Sequence, residues 1–188
     1  MRLHHFRIYA AALICLTLTF AIPAARADQA SKLDAVAADV AHKWPKLHHA
    51  APDEVSGLID SGAAVVFDVR TADEYAVSHL PGAILVEPAM SKDAFLAAHG
   101  AALKGKTAVF YCAVGVRSSK LAERVGADAL QSAGATSSVN LSGGIFAWHG
   151  AEKPLIDANG PTKLVHGYDA TWGKLVKQQD QVRTGTPK

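Results

Sequence analysis

One short stretch carries the residue types that could do chemistry. Cys112 follows the apolar, β-type run 107–111 and precedes a long helical pattern, so the thiol sits at the mouth of a strand–loop–helix turn. A helix N-terminus presents unpaired N–H groups and the positive end of a dipole, and a thiol placed there is favoured as the thiolate. Gly115 lets the intervening loop bend enough to present its amides, and Arg117 adds a permanent positive charge at the loop mouth. The product is a nucleophile in an anion cradle, suited to a persulfide or to a bound oxyanion. No histidine or aspartate base is needed if the nucleophile is already ionised. His149 and His166 are candidate spatial neighbours, but nothing in their spacing ties them to Cys112. The competing reading of Cys112 is a small buried hydrophobe.

The elements that must hold this loop follow from the pattern of the chain. Residues 28–43 have Leu33, Val36, Ala37 and Val40 at helical spacing, and Pro45 stops that helix. Residues 47–51 suit a short edge strand. Pro52, Asp53 and Glu54 open a helix to about residue 60. Residues 63–69 form a continuous β-branched apolar run, the signature of a buried parallel strand. Thr71 and Glu74 stand at the two ends of a capping box for a helix to residue 78. The turn 79–82, a strand at 83–86, a Ser91-capped helix at 92–99 and a strand at 107–111 follow. A single helix is expected over 118–133, then a last strand at 138–141 and a helical turn at 145–148. Strands alternating with helices argue an α/β domain, a mainly parallel sheet flanked by helices on both faces. Such sheets place ligand sites at the carboxyl ends of strands, where Cys112 lies. Beyond residue 156 the chain turns polar and reads as a tail with one short helix.

The first 27 residues read as a secretory signal. Arg2 and Arg7 give a basic start, residues 8–25 are apolar and uncharged, and Ala25-Arg26-Ala27 offers a small-x-small cleavage site. The expected location is periplasmic or secreted, with cleavage after Ala27. A membrane anchor is the alternative reading of that run, disfavoured by Pro23 and the cleavage site; a lipoprotein reading of Cys15 is disfavoured by the bulky Ile14 before it. Cleavage takes Arg2, Arg7 and Arg26 from the 19 basic side chains, so 16 face 17 acids and the net charge moves from +2 to −1. The basic balance is then no argument for nucleic acid. Cleavage also removes Cys15, leaving Cys112 as the sole cysteine, unable to form an internal disulfide. The expected organisation is a signal at 1–27, a helical extension at 28–45, one domain at 46–156 and a tail at 157–188, with no membrane association after cleavage. Nothing in the sequence asks for a metal or another cofactor. His48 and His49 lack further ligands at suitable spacing.

Three blocks resemble the rhodanese (sulfurtransferase) superfamily in its single-domain form. Residues 67–75 through 79–83 look like its first signature. Cys112-Ala113-Val114-Gly115-Val116-Arg117-Ser118 is similar to its active loop, and Leu141 through Trp148, with Gly143-Gly144, to its last strand and turn. The resemblance implies a three-layer rhodanese-like fold and sulfane-sulfur transfer. Cys112 would attack a small sulfur-containing anion such as thiosulfate, or a persulfide. A thiol, cyanide or a redox partner protein would then take the outer sulfur. It casts Cys112 and Arg117 as catalytic and Ala113, Val114, Gly115, Val116 and Ser118 as the binding loop. Asp68, Arg70, Glu74, His79, Gly143 and Gly144 become supports, with Arg70 near Glu74. Four residues separate Cys112 from Arg117. Related domains acting on phosphate or arsenate use a loop one residue longer, so the smaller cradle favours sulfur. A different class remains open: a non-enzymatic rhodanese-fold module that binds a redox or sulfur-metabolism partner.

Overall fold

The computed structural model describes residues 24–185. The apolar run and most of the expected signal lie outside the described residues. Among those described, no helix is long and apolar enough to cross a membrane.

Five parallel strands form the central sheet in the order β1-β5-β4-β2-β3: β1 (His48–Ala50), β2 (Ala64–Asp68), β3 (Ile84–Leu85), β4 (Thr107–Tyr111) and β5 (Ser137–Leu141). β4 lies at the centre and is buried along its whole length. Its residues alternate between two cores, as the two-residue period of a strand requires. Val109 and Tyr111 point into one apolar cluster, Ala108 and Phe110 into the other. The first cluster is closed by α1 (Ala24–Lys43), α2 (Pro52–Asp60) and α7 (Gly144–Gly150). The second is closed by α4 (Lys92–His99), α5 (Val116–Val125) and α6 (Ala127–Ser132). The result is the α/β three-layer arrangement, its sheet entirely parallel.

Local chemistry sets several boundaries. Thr71 accepts from the Glu74 backbone N–H while the Glu74 carboxylate accepts from the Thr71 N–H, a complete capping box on α3 (Ala72–Val77). Ser91 caps α4 by accepting from the Ala94 N–H. The expected single helix over 118–133 is instead two. Gly126, at φ 86° and ψ 137°, closes α5 through its N–H to the Ala122 carbonyl and starts α6 at a new angle. Helical periodicity continues across that glycine in the sequence, but the backbone does not.

The tail differs most from expectation. β5 is not the last strand. β6 (Leu155–Asp157) and β7 (Gly160–Thr162) form a hairpin, and β8 (Val165–His166) pairs in parallel with β9 (Val182–Arg183). Two 3-10 turns, Trp172–Leu175 and Gln179–Gln181, replace the one expected short helix. Val165 and Val176 are fully buried in the first core, where they join Leu33 of α1. Backbone bonds in both directions between His79 and Ile156 tie β6, from which the tail continues, to the turn after α3. Residues 157–185 are therefore built into the domain rather than laid on it.

Candidate active site

β4 delivers Cys112 to the carboxyl end of the sheet, and the chain then turns sharply into α5. Gly115 makes the turn at φ 101°, and its N–H donates to the Cys112 Sγ at 3.2 Å. A β-carbon on Gly115 would also meet the Asn140 side-chain nitrogen at 3.1 Å. From below, α7 grips the loop. The Ile145 N–H donates to the Cys112 carbonyl at 2.9 Å and the Phe146 N–H to the Ala113 carbonyl at 3.2 Å. With both carbonyls drawn toward α7, the loop is held as a rigid bend. Gly144 makes this approach possible: its φ is 57°, and a β-carbon there would lie 2.5 Å from the Ala113 carbonyl oxygen. Gly143 precedes it in the same left-handed region and starts the helix.

The sulfur lies at the floor of a cleft of about 160 Å³. Cys112, Ala113, Val114, Val116 and Arg117 of the loop line it, together with Tyr168 and Trp172 from the tail. Cys112 itself is only 1% exposed. Ser118 does not line the cleft. Its hydroxyl is buried against β5 and donates to Asn140 Oδ1 at 2.6 Å.

Arg117 is not a free cation. Its two terminal nitrogens donate to the two Glu74 carboxylate oxygens at 2.7 Å each, and Tyr168 stacks on its guanidinium at 5.0 Å. Such fork-to-fork pairs are strong and directional. Burial opposes the charge on Arg117, but the Glu74 bonds and then the neighbouring Cys112 sulfur more than offset it, so its pKa is raised. Arg70 lies near enough to Glu74 for its charge to help lower the Glu74 pKa, but the Glu74 oxygens are bonded by Arg117. Arg70 instead donates to Asp68 through Nε at 2.8 Å and a terminal nitrogen at 2.6 Å, and to the Ser78 carbonyl. It points under the sheet end, whereas Glu74 faces α5. Tyr111 donates to Asp68 and accepts from the Leu80 N–H, so this buried network locks β2, β4 and the turn after α3 together. His79 belongs to the same support: it bonds to the Tyr75 carbonyl and stacks on the Tyr75 ring at 3.7 Å.

Neither candidate histidine is hydrogen-bonded to the sulfur. His149 Nε2 meets the Lys163 carbonyl and Gln181 Oε1. His166 Nδ1 accepts from the Tyr168 N–H at 3.0 Å, and Nε2 faces the Gly185 N–H at 3.1 Å. Tyr168 and Trp172 come from the tail, which reads from its sequence only as a polar segment with one short helix. Two aromatics in an otherwise polar tail were the available signal; their place over Cys112 was not.

Acid lability follows from two of these groups. Burial alone would raise the Glu74 pKa, but the Arg117 bonds and charge outweigh it and hold it below the ordinary 4.5. Burial holds His166 below its ordinary 6.5. Both folded-state values are depressed, so the unfolded chain binds more protons and stability falls as pH falls. Thermal midpoints should decrease below about pH 6.5, where the unfolded histidine takes a proton before folded His166 does, and again below about 4.5, where the unfolded glutamate protonates before folded Glu74; each loss is complete once the folded group is protonated too. His166→Gln, which can accept the same N–H without titrating, should lose part of the first decrease. An unchanged profile in that variant would remove His166 from the account.

The family profile described as Rhodanese-like domain matches residues 51–151. This chain belongs to the rhodanese-like domain family. It is 34% identical over 116 residues to the probable adenylyltransferase/sulfurtransferase MoeZ of Mycobacterium tuberculosis, a match covering 60% of this chain and 27% of that protein. The chain thus spans about a quarter of the curated relatives it matches. Among solved structures, a rhodanese-like domain protein from Staphylococcus aureus is 29% identical, with TM-score 0.40, covering 54% of this chain and 91% of that one. A thiosulfate sulfurtransferase from Pseudomonas aeruginosa is 23% identical, with TM-score 0.45, covering 82% and 27%.

Proposed function

We propose that this protein is a sulfurtransferase that moves sulfane sulfur from thiosulfate or a persulfide to a thiophilic acceptor through a Cys112 persulfide. The observation that carries the reading is the Cys112 Sγ at the floor of an open cleft, hydrogen-bonded by the Gly115 N–H at the start of α5. The Cys112 thiolate attacks the outer sulfur of the donor. The donor S–S bond breaks, and its electron pair leaves with sulfite or with a thiolate. The persulfide anion then occupies the place where the Gly115 N–H and the α5 N-terminus favour negative charge. An acceptor thiolate or cyanide takes the outer sulfur and returns Cys112 as the thiolate, a two-step covalent cycle. Arg117 and Glu74 keep the loop in shape. The basic start, apolar run and Ala25-Arg26-Ala27 support export to the periplasm or beyond. There Cys112 has no internal resolving thiol, so the acceptor is external.

Incubating the protein with thiosulfate and with an organic persulfide should add one sulfur to its mass. Cys112→Ser should add none. A wild-type protein left unmodified by every sulfane donor would refute the enzyme and favour the non-enzymatic binding module. Turnover of a phosphate ester instead would overturn the argument from loop length.

A further inference from the structure

The tail builds one wall of the cleft, and that wall is held in place with care. Tyr168 adopts φ 64°, a conformation uncommon for a residue with a side chain. Its N–H is held by His166 Nδ1 at 3.0 Å, and its ring lies over the Arg117 guanidinium. Asp169 Oδ1 accepts from the Thr171 N–H at 2.8 Å and the Trp172 N–H at 2.9 Å, fixing the 3-10 turn that carries Trp172. Gly167 and Gly173 then pack together closely enough that a β-carbon on Gly167 would lie 3.0 Å from the Gly173 Cα. Tyr168 keeps 48% exposure, a solvent-facing aromatic edge at the cleft mouth.

The chemistry of the lining is one-sided. Ala113, Val114, Val116, Tyr168 and Trp172 are apolar or aromatic, and the single cation, Arg117, already has its charge and both terminal nitrogens matched by Glu74. A doubly charged, strongly hydrated donor would shed water here without an unmatched cation to receive it, which is costly. An apolar substituent loses nothing. Apolar cavities of about 150 Å³ take a benzene ring, and this cleft measures about 160 Å³.

We infer that Tyr168 and Trp172 are specificity-determining residues, and that they select an organic sulfane-sulfur donor with an apolar or aromatic substituent over the thiosulfate dianion. This rests on the sulfurtransferase reading above and names its substrate class. The step balances for an aromatic thiosulfonate. The Cys112 thiolate forms a bond to the terminal sulfur, the donor S–S bond breaks, and the electron pair leaves on the arenesulfinate. No external oxidant or reductant is consumed.

The test compares benzenethiosulfonate with thiosulfate on the full chain, reading the rate constant of Cys112 persulfide formation at limiting donor. Wild type should prefer benzenethiosulfonate, and Tyr168→Ala and Trp172→Ala should each lower that preference by about tenfold, the scale of losing a packed contact in a pocket. Trp172→Phe, which keeps an aromatic face, should recover most of it. Because Trp172→Ala could also loosen the fold, benzenesulfinate binding to the Cys112→Ser chain is measured by calorimetry with and without the half-exposed Tyr168→Ala change. Binding should weaken with it. A wild-type preference for thiosulfate, or equal losses for both donors in each variant with unchanged sulfinate binding, would overturn the inference and leave the sulfurtransferase reading standing. Absence of a persulfide from either donor would instead sink that reading, and this one with it.

Discussion

Asp68→Ala should be the most destabilising single substitution at this end of the sheet, at about 3–5 kcal/mol, the cost of stranding one partner of a buried ion pair. Asp68 and Arg70 are both fully buried, and Asp68 supplies two of the three bonds that Arg70 makes. Removing the carboxylate leaves a guanidinium with one carbonyl for company, and it also removes the acceptor of the Tyr111 hydroxyl. Arg70 cannot relieve the strain by losing its proton. A guanidinium is too basic to deprotonate in a protein, even when burial disfavours its charge and the raising effect of Asp68 is gone. Against native stabilities of about 5–15 kcal/mol, such a loss would leave little fold at physiological temperature. The triple change Asp68→Leu, Arg70→Met and Tyr111→Phe removes every polar group of the trio together and should recover most of the loss. Urea unfolding of the single and triple variants checks both. A single variant within about 1 kcal/mol of wild type would mean that water reaches Arg70.

That trio also shows where the sequence is legible and where it is not. Features written in neighbouring residues can be read directly. The Thr71–Glu74 box, the Ser91 cap and the β-branched run of β2 each lie within one turn or one strand, and each appears where the local pattern puts it. So does the strand–loop–helix turn around Cys112, because a buried strand, a glycine and a helical pattern follow one another without interruption. Contacts between distant residues are another matter. Arg70 has three carboxylates within four positions, Asp68, Asp73 and Glu74, and spacing does not single out one of them. The choice falls to the third dimension: α5 brings Arg117 to Glu74 from 43 positions away, and Asp68 is left for Arg70. This pairing converts the loop cation from an anion receptor into a matched strut, which alters the chemistry expected of the donor. Tyr111 reads as one more apolar strand residue, and only the turn after α3 gives its hydroxyl a role. The tail is the extreme case. β8 and β9 are two residues each, too short for any periodicity, yet they close the segment that carries Tyr168 and Trp172. The break at Gly126 fails for the opposite reason, since the helical pattern is real on both sides and one backbone angle interrupts it.

The second large effect should come from the addition of one methyl group. Gly144→Ala places a β-carbon against the Cys112 and Ala113 carbonyls, at a backbone angle of φ 57°. The left-handed conformation costs a residue with a β-carbon about 1–2 kcal/mol. Relief of the contact needs α7 to withdraw, which stretches the Ile145 and Phe146 N–H bonds to the loop, each worth about 1 kcal/mol. The expected stability loss is thus about 3–4 kcal/mol, smaller than for Asp68→Ala because no charge is stranded. The effect on Cys112 should be disproportionate. The same two bonds fix the carbonyls around the sulfur, and a shift of about 1 Å in reacting groups can cost on the order of 100-fold in rate. Persulfide formation at a temperature where the variant remains folded should fall by about that factor. Gly57→Ala supplies the contrast. Gly57 lies inside α2 with open space around its β-position and no positive φ, so alanine there should stabilise the chain by about 0.5–1 kcal/mol and leave Cys112 untouched. If Gly144→Ala proved as harmless as Gly57→Ala, the loop would not depend on α7 for its shape. The cleft around Cys112 would then have to be held by the Glu74–Arg117 pair and the tail alone.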